Sequence, residues 1–313
     1  MRAQSITTEQ ANPATAALHS KSTRTILRLI NHEDAKAAGA VRRVLPQIAR
    51  AVDVIAAALM KGGRLVYLGA GTSGRLGVLD ASECVPTFGT NQVIGVIAGG
   101  IRALYRSTEA TEDDPRQGAQ DLQKIRFSAR DVLVAISASG RTPYTLGAMH
   151  LARKLGAPVI TLACNPDAPM VRIADIALVP VVGPEVIAGS TRLKAGTAQK
   201  LVLNMLSTAS MVRAGRVFSH WMINVQITNR KLRERACGIL MKAAQVPREV
   251  ASRALRRSGG QLPAALLMLW KKISPREANA LLRRGPNIAK VLGAAQKEFE
   301  RASGRSRRPA RVR

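Results

Sequence analysis

The sequence predicts a doubly wound parallel α/β sheet followed by a small C-terminal helical bundle. Three observations carry this. Short apolar runs alternate with helical stretches from residue 65 to residue 182. Hydroxyl- and glycine-rich turns follow two of those runs. From Asn229 onward the apolar spacing is helical throughout.

Taken in order, residues 1–25 read as a polar, irregular arm. Thr23 to Ile30 has helical spacing, which Asn31-His-Glu-Asp34 is expected to break. Val44, Ile48, Val52, Ile55 and Leu59 recur at helical intervals, with Pro46 as a kink or a true start and Gly62-Gly63 as the stop. Leu65 to Leu68 reads as a buried strand. Gly69-x-Gly71-x-x-Gly74 then lets the backbone turn sharply, and Thr72 and Ser73 open a helix whose N–H groups offer an anion site. Gly71, Thr72, Ser73 and Gly74 are the first binding candidates. This spacing also fits a dinucleotide fingerprint, but the second strand (92–97) ends in Ala98-Gly99-Gly100, without the acid that a ribose requires.

Glu109, Glu112, Asp113 and Asp114 crowd together after a short helix at 101–106, and such crowding should raise at least one carboxyl pKa. A solvated helix start is the plainer account of them. A third strand (131–136) leads into Ser137-Ala-Ser-Gly-Arg-Thr-Pro-Tyr144, where Thr142 is expected to cap a helix that begins at Pro143. Ser137, Ser139, Gly140, Arg141 and Thr142 are the second candidate group. Strands at 159–163 and 176–182 follow, the latter marked as an edge or strand end by Pro180. The loop from Gly183 enters a long helix reaching Arg213. Its Ser190, Thr191 and Lys194 are further candidates, Lys194 having a solvated surface charge as its alternative reading. The apolar residues of this helix cover much of its circumference, which suggests burial or a subunit interface. Ser274-Pro-Arg-Glu277 is a capping box within the terminal bundle.

Ligands of such sheets bind beyond the carboxyl ends of the strands, where both hydroxyl-rich turns fall. The expected organisation is an N-terminal arm and helix (1–40), the sheet domain (41–229), a helical subdomain (230–300) and a basic, disordered tail (301–313). Three cysteines without a C-x-x-C pair and four scattered histidines disfavour a disulfide frame and a metal site. Cys84 reads as a small packing residue rather than a nucleophile. No apolar run approaches a membrane span and the N-terminus lacks a signal profile, so the expectation is a cytoplasmic protein without membrane contact. The net charge is +28, of which residues 230–313 hold 22 Lys/Arg against 5 Glu. Polyanion contact through this basic region is one reading and an ordinary solvated arginine face is the other. Only 3% of residues are aromatic, which leaves few platforms for stacking bases.

Thr7-Thr-Glu-Gln-Ala-Asn-Pro13, the segments Leu68–Cys84 and Ser139–Tyr144, and Gly189-Ser-Thr-Arg-Leu-Lys-Ala-Gly-Thr-Ala-Gln-Lys200 closely resemble the N-acetylmuramic acid 6-phosphate etherases. The resemblance runs from about residue 7 to residue 298. It implies the sugar isomerase fold, related also to glucokinase regulatory protein, and cleavage of the D-lactyl ether of a phosphorylated amino sugar. N-acetylglucosamine 6-phosphate and D-lactate would be the products, in cell-wall sugar recycling. It further implies no metal or redox cofactor, and homodimers with sites at the subunit interface. The family's acid/base pair maps onto Glu83 and Glu112, although Ala110 and Thr111 replace the usual glycine and alanine beside the second, and Ser137 stands for an alanine. Which glutamate is acid and which is base stays open. A sugar-phosphate sensor and a sugar phosphate isomerase are the competing readings, and neither needs an ether-directed acid.

Overall fold

The computed structural model describes residues 6–106, 111–225, 227, 229–284 and 287–302. Two compact units emerge: Met1–Cys84 with Asn91–Ser210, and Val85–Thr90 with Met211–Arg313.

The first unit is built on a five-stranded parallel sheet, β1 (Leu65–Gly69), β2 (Val93–Ile97), β3 (Val132–Ile136), β4 (Val159–Leu162) and β5 (Ile176–Leu178), in the order β2-β1-β3-β4-β5. Chain order reverses between β1 and β3, the switch point at which open α/β sheets leave a crevice. Leu65, Val66, Tyr67 and Leu68, like all of β3, are wholly buried, which is why these runs are continuously apolar rather than alternating. Register pairs Gly69 with Ile136, so the turns after β1 and β3 leave the sheet at one level. β5 stops at Leu178, two residues before Pro180 and short of the run expected to reach residue 182.

Helices α1 (Thr23–Asp34), α2 (Lys36–Arg43) and α3 (Leu45–Met60) precede the sheet. Pro46 marks a start and not a kink: it stands in the first turn of α3. The expected break at Asn31–Asp34 does not occur. α1 continues through it because Glu33 is buried and held by Lys194 and Lys36. Between the strands run α4 (Gly71–Phe88), α5 (Arg102–Tyr105), α6 (Pro115–Lys124), α7 (Pro143–Lys154) and α8 (Pro169–Ile173), and after them α9 (Lys194–Arg213). On α9, Ala198, Val202, Leu203 and Leu206 are buried within the unit itself, while Met205 is 37% exposed. Asp131 anchors the base of the sheet. Its carboxylate accepts from Arg64 Nη2 at 2.8 Å, from the Arg64 amide at 3.0 Å and from the Ser128 amide at 2.9 Å.

In the second unit a short hairpin, β6 (Val217–Phe218) and β7 (Trp221–Met222), precedes α10 (Arg230–Ala244), α11 (Arg248–Arg257), α12 (Leu262–Lys271), α13 (Pro275–Arg284) and α14 (Ile288–Ala302). The core gathers on α12, where Leu262 and Ala264 to Leu267 are buried and Trp270 packs on Phe218 with ring centroids 5.8 Å apart. The expected capping box closes both ways: Glu277 accepts from the Ser274 amide at 2.8 Å, and Ser274 Oγ accepts from the Glu277 amide at 3.3 Å. Gly285, Pro286 and residues 303–313 of the basic tail lie outside the described residues. No helix among the described residues is long and apolar enough to cross a membrane.

Candidate functional site

Three loops converge at the carboxyl ends of β1 and β3. The first is the glycine turn. A side chain at Gly69 would meet the Gly74 amide and the Ile136 carbonyl, both at 2.9 Å, and one at Gly74 would meet the Gly69 carbonyl at 2.6 Å. These glycines let strand and helix touch, while Gly71 supplies a left-handed φ of +51°. The first backbone bond of the helical ladder here joins the Gly74 amide to Ala70 O at 3.0 Å. The N–H groups of Gly71, Thr72 and Ser73 therefore stand ahead of that ladder, at the positive end of an 18-residue helix.

The second loop is a hydroxyl cluster. Ser137 Oγ lies 2.8 Å from Thr142 Oγ1 and 3.4 Å from Ser139 Oγ, and accepts from the Gly140 amide at 3.1 Å. Ser139 Oγ accepts from the Arg141 amide at 3.3 Å, and the Arg141 side chain is exposed. Thr142 departs from its expected role, because its side chain makes no capping bond to α7. The hydroxyl turns back to Ser137 instead, which concentrates three hydroxyls over the end of β3.

Glu112 stands at the meeting point of these two loops. Its Oε1 comes within 3.0 Å of where a side chain on Gly71 would begin, and its backbone carbonyl accepts from the Tyr144 amide at 3.0 Å. Asp114 caps α6 through the Arg116 amide at 2.8 Å, so this member of the acidic group is a helix start. Glu109 lies outside the described residues.

The third loop carries Ser190 and Thr191, both half-buried. It reaches the first through Gly196, whose missing side chain would lie 3.5 Å from both Thr72 Cγ2 and the Thr191 carbonyl. The N-terminal arm braces it: the Gly189 amide donates to Thr8 O at 3.2 Å and Thr15 Oγ1 donates to Val186 O at 3.0 Å. Lys194 is not a solvated charge. Only 1% exposed, it forms a buried ion pair with Glu33. Burial alone would raise the Glu33 pKa, but hydrogen bonds from Lys194, Lys36 and Asn12 outweigh it and hold the carboxyl at about 2. Glu185 accepts from the amides of Ala195 at 2.9 Å and Lys194 at 3.2 Å, and burial pushes its pKa up.

Glu83 lies on an exposed face of α4, twelve residues beyond Gly71. At 1.5 Å per residue that is roughly 18 Å along the helix from Gly71, the end of α4 that the Glu112 carboxylate approaches. One chain does not bring the two glutamates into one cavity. Cys84, next to Glu83, is buried, and desolvation together with nearby Asp80 pushes its thiol up to about 12. That makes it a packing residue, not a nucleophile.

Two groups at the site escaped sequence reasoning. Asp80, one turn before Glu83 and buried, accepts from Asn204 Nδ2 at 2.6 Å and Ser207 Oγ at 3.2 Å, which fastens α4 to α9. Gln199 accepts a 3.0 Å bond from Ser73 Oγ. Polar residues on otherwise apolar helix faces were the available signal, and it does not name their partners.

Comparison with known proteins identifies relatives of this chain. Residues 47–153 match the glucokinase regulatory protein N-terminal SIS domain, and residues 115–209 match the SIS domain. The chain is 56% identical over 279 residues to the N-acetylmuramic acid 6-phosphate etherase of Edwardsiella ictaluri, covering 88% of this chain and 93% of that one. It is 52% identical to the etherase of Photorhabdus laumondii, with the same coverages. For the etherase of Aeromonas hydrophila the figures are 53% identity, 89% and 94%. A phosphoheptose isomerase structure from Neisseria gonorrhoeae aligns with a TM-score of 0.47 at 19% identity, over 60% of this chain and 98% of that one.

Proposed function

Since the chain belongs to the N-acetylmuramic acid 6-phosphate etherase family, we propose that it cleaves the D-lactyl ether of N-acetylmuramic acid 6-phosphate. N-acetylglucosamine 6-phosphate and D-lactate are released, in the cytoplasm. The observation that carries this reading is the placement of Glu112 beside the N-terminus of α4 and the hydroxyl cluster of β3. A phosphate received by the helix amides, Thr72, Ser73 and the hydroxyls of Ser137, Ser139 and Thr142 holds the sugar against that carboxylate. Arg141 stands at the rim, the buried Gly74 and Gly140 allow the tight turns beneath it, and Ser190 and Thr191 close the third side. Lys194, neutralised by Glu33, supports the loop from below.

In the open-chain sugar the C1 aldehyde acidifies the C2 proton. One carboxylate removes it, the C3–O bond breaks as the electron pair moves into the new C2–C3 double bond, and a carboxylic acid protonates the departing lactate oxygen. Water then adds at C3 and a proton returns to C2, restoring the sugar. Each well-placed proton transfer contributes about 10²–10⁴-fold. We assign Glu112 to the proton at C2 and to the incoming water, and Glu83 to the ether oxygen.

The helical distance between the two within one chain supports a reading in which Glu83 serves the pocket of a second copy, with a homodimer as the working unit. Leu79, 52% exposed one turn before Glu83, and Met205 on the neighbouring helix give that face apolar area to cover. Incubation of the purified protein with the muramic acid phosphate and enzymatic assay of D-lactate tests the activity. Glu83→Gln and Glu112→Gln should each lower kcat at least a hundredfold with unchanged melting. Full turnover by either variant removes that residue from the mechanism.

A further inference from the structure

Ser73 and Gln199 form a pair with one hydrogen bond too few. Ser73 stands in the first turn of α4 and is 8% exposed; Gln199, in the second turn of α9, is 1% exposed. Ser73 Oγ donates to Gln199 Oε1 at 3.0 Å. Gln199 Nε2 is buried and has no hydrogen-bond partner among the described residues. A buried amide nitrogen without an acceptor is costly, and it lies on the side chain that takes the proton of a hydroxyl at the mouth of an anion site. In this arrangement Ser73 has spent its only proton on Gln199 and has none for a phosphate oxygen.

Turning the amide by half a turn about its last torsion exchanges the two atoms. Nε2 then donates to Ser73 Oγ, the orphaned donor is satisfied, and the Ser73 proton is released outward. The carbonyl oxygen left behind is the cheaper group to bury unpaired. An anion at the helix N-terminus supplies the acceptor that makes this second arrangement the better one, because hydrogen bonds to a charged oxygen are the stronger kind.

We propose that Gln199 is a positioning residue for the phosphate group: its amide reverses when the anion arrives, and the reversal aims the Ser73 proton at a phosphate oxygen. The inference rests on the reading of this site as the phosphate pocket. Gln199 touches no reacting atom and acts through Ser73 alone, so its influence falls on KM and on anion affinity more than on kcat.

The test uses the full chain and inorganic phosphate, titrated calorimetrically against wild type, Gln199→Glu, Gln199→Met, Ser73→Ala and Ser73→Ala/Gln199→Glu, each checked for a native melting transition. Glutamate only accepts and keeps the Ser73 proton, so Gln199→Glu should weaken phosphate about tenfold or more. Methionine accepts only weakly, does not donate and leaves the hydroxyl largely free, so Gln199→Met should stay within about threefold of wild type. With Ser73 already removed, the glutamate should cost little further. Equal damage from methionine and glutamate would mean that Gln199 is only a structural pin. A glutamate penalty that persists undiminished without Ser73 would mean simple charge repulsion, and either result overturns the proposal.

A second measurement needs no variant to fold well. In ¹⁵N spectra of wild type, the Gln199 side-chain NH₂ signals should move on phosphate addition, and unmoved signals in a phosphate-saturated sample refute the reversal. Wild-type protein that binds no phosphate would sink the pocket reading itself, whereas wild-type binding with an indifferent Gln199→Glu sinks this inference alone.

Discussion

Replacing Lys194 by methionine removes one partner of a buried ion pair and leaves Glu33 charged inside the first unit. Breaking such a pair from one side costs about 3–5 kcal/mol. Lys36 still reaches the other Glu33 oxygen at 2.6 Å but is 48% exposed, so the lower end, about 3 kcal/mol, applies. For a unit of this size that corresponds to a melting point lower by about 6–12 °C. Calorimetry, with urea unfolding as the check, reads it directly. Leucine at position 33 in the Lys194→Met background should recover most of the loss, because an apolar pair needs no partner charge. The pH dependence has a defined sign. Glu33 titrates at about 2 in the folded chain and near 4.5 unfolded, so its contribution is complete above about pH 4.5 and disappears as pH falls through about 2. Lys194→Met should shrink that acid-side loss. A melting point within about 2 °C of wild type, or a double variant as unstable as the single one, would refute the account of Lys194 as a structural charge.

Gly147→Ala drives a methyl to 1.8 Å from the Pro115 carbonyl, so α6 must shift; about 3 kcal/mol should be lost, and D-lactate release should fall because Glu112 leads into α6. Asp131→Ala strands the Arg64 guanidinium and two backbone amides at the base of β1 and β3, and urea denaturation should show a loss of about 2–3 kcal/mol. In the second unit, Gly215→Ala combines a φ of +79° with a contact at 2.2 Å to Asn287 Oδ1, and its melting should weaken by about 1–3 kcal/mol. Burial pushes the thiols of Cys84 and Cys164 up to about 12, so mass spectrometry should find neither alkylated by iodoacetamide at pH 8 until the chain is unfolded.

The strands and the turns after β1 and β3 were legible because buried parallel strands leave unbroken apolar runs and the turns punctuate them with glycines and hydroxyls. Ser274 and Glu277 were legible as a cap because a capping box is local chemistry. What escaped was set at long range. Asn31–Asp34 looks like a helix break until Glu33 meets a lysine 161 residues away. Thr142 looks like a cap until Ser137 competes for its hydroxyl. Lys194 looks solvated because a sequence does not show which charges fold inward. The strand order, which decides that the first and second turns are neighbours, depends on crossovers that leave no mark on any single segment. Glu83 was singled out by its resemblance, and its separation from Glu112 becomes visible only when residues 71–88 are wound into one helix whose start lies beside Glu112.

That winding has a genetic consequence. A rod presenting its amide end to one sugar and its acid to another would divide each pocket between two polypeptides. Two alleles, one damaged at Glu83 and the other at Glu112, would each give an inactive enzyme alone. Co-expressed, they would assemble mixed pairs in which one pocket collects both defects and the other collects none, so the two lesions in trans would recover D-lactate release that neither lesion permits by itself.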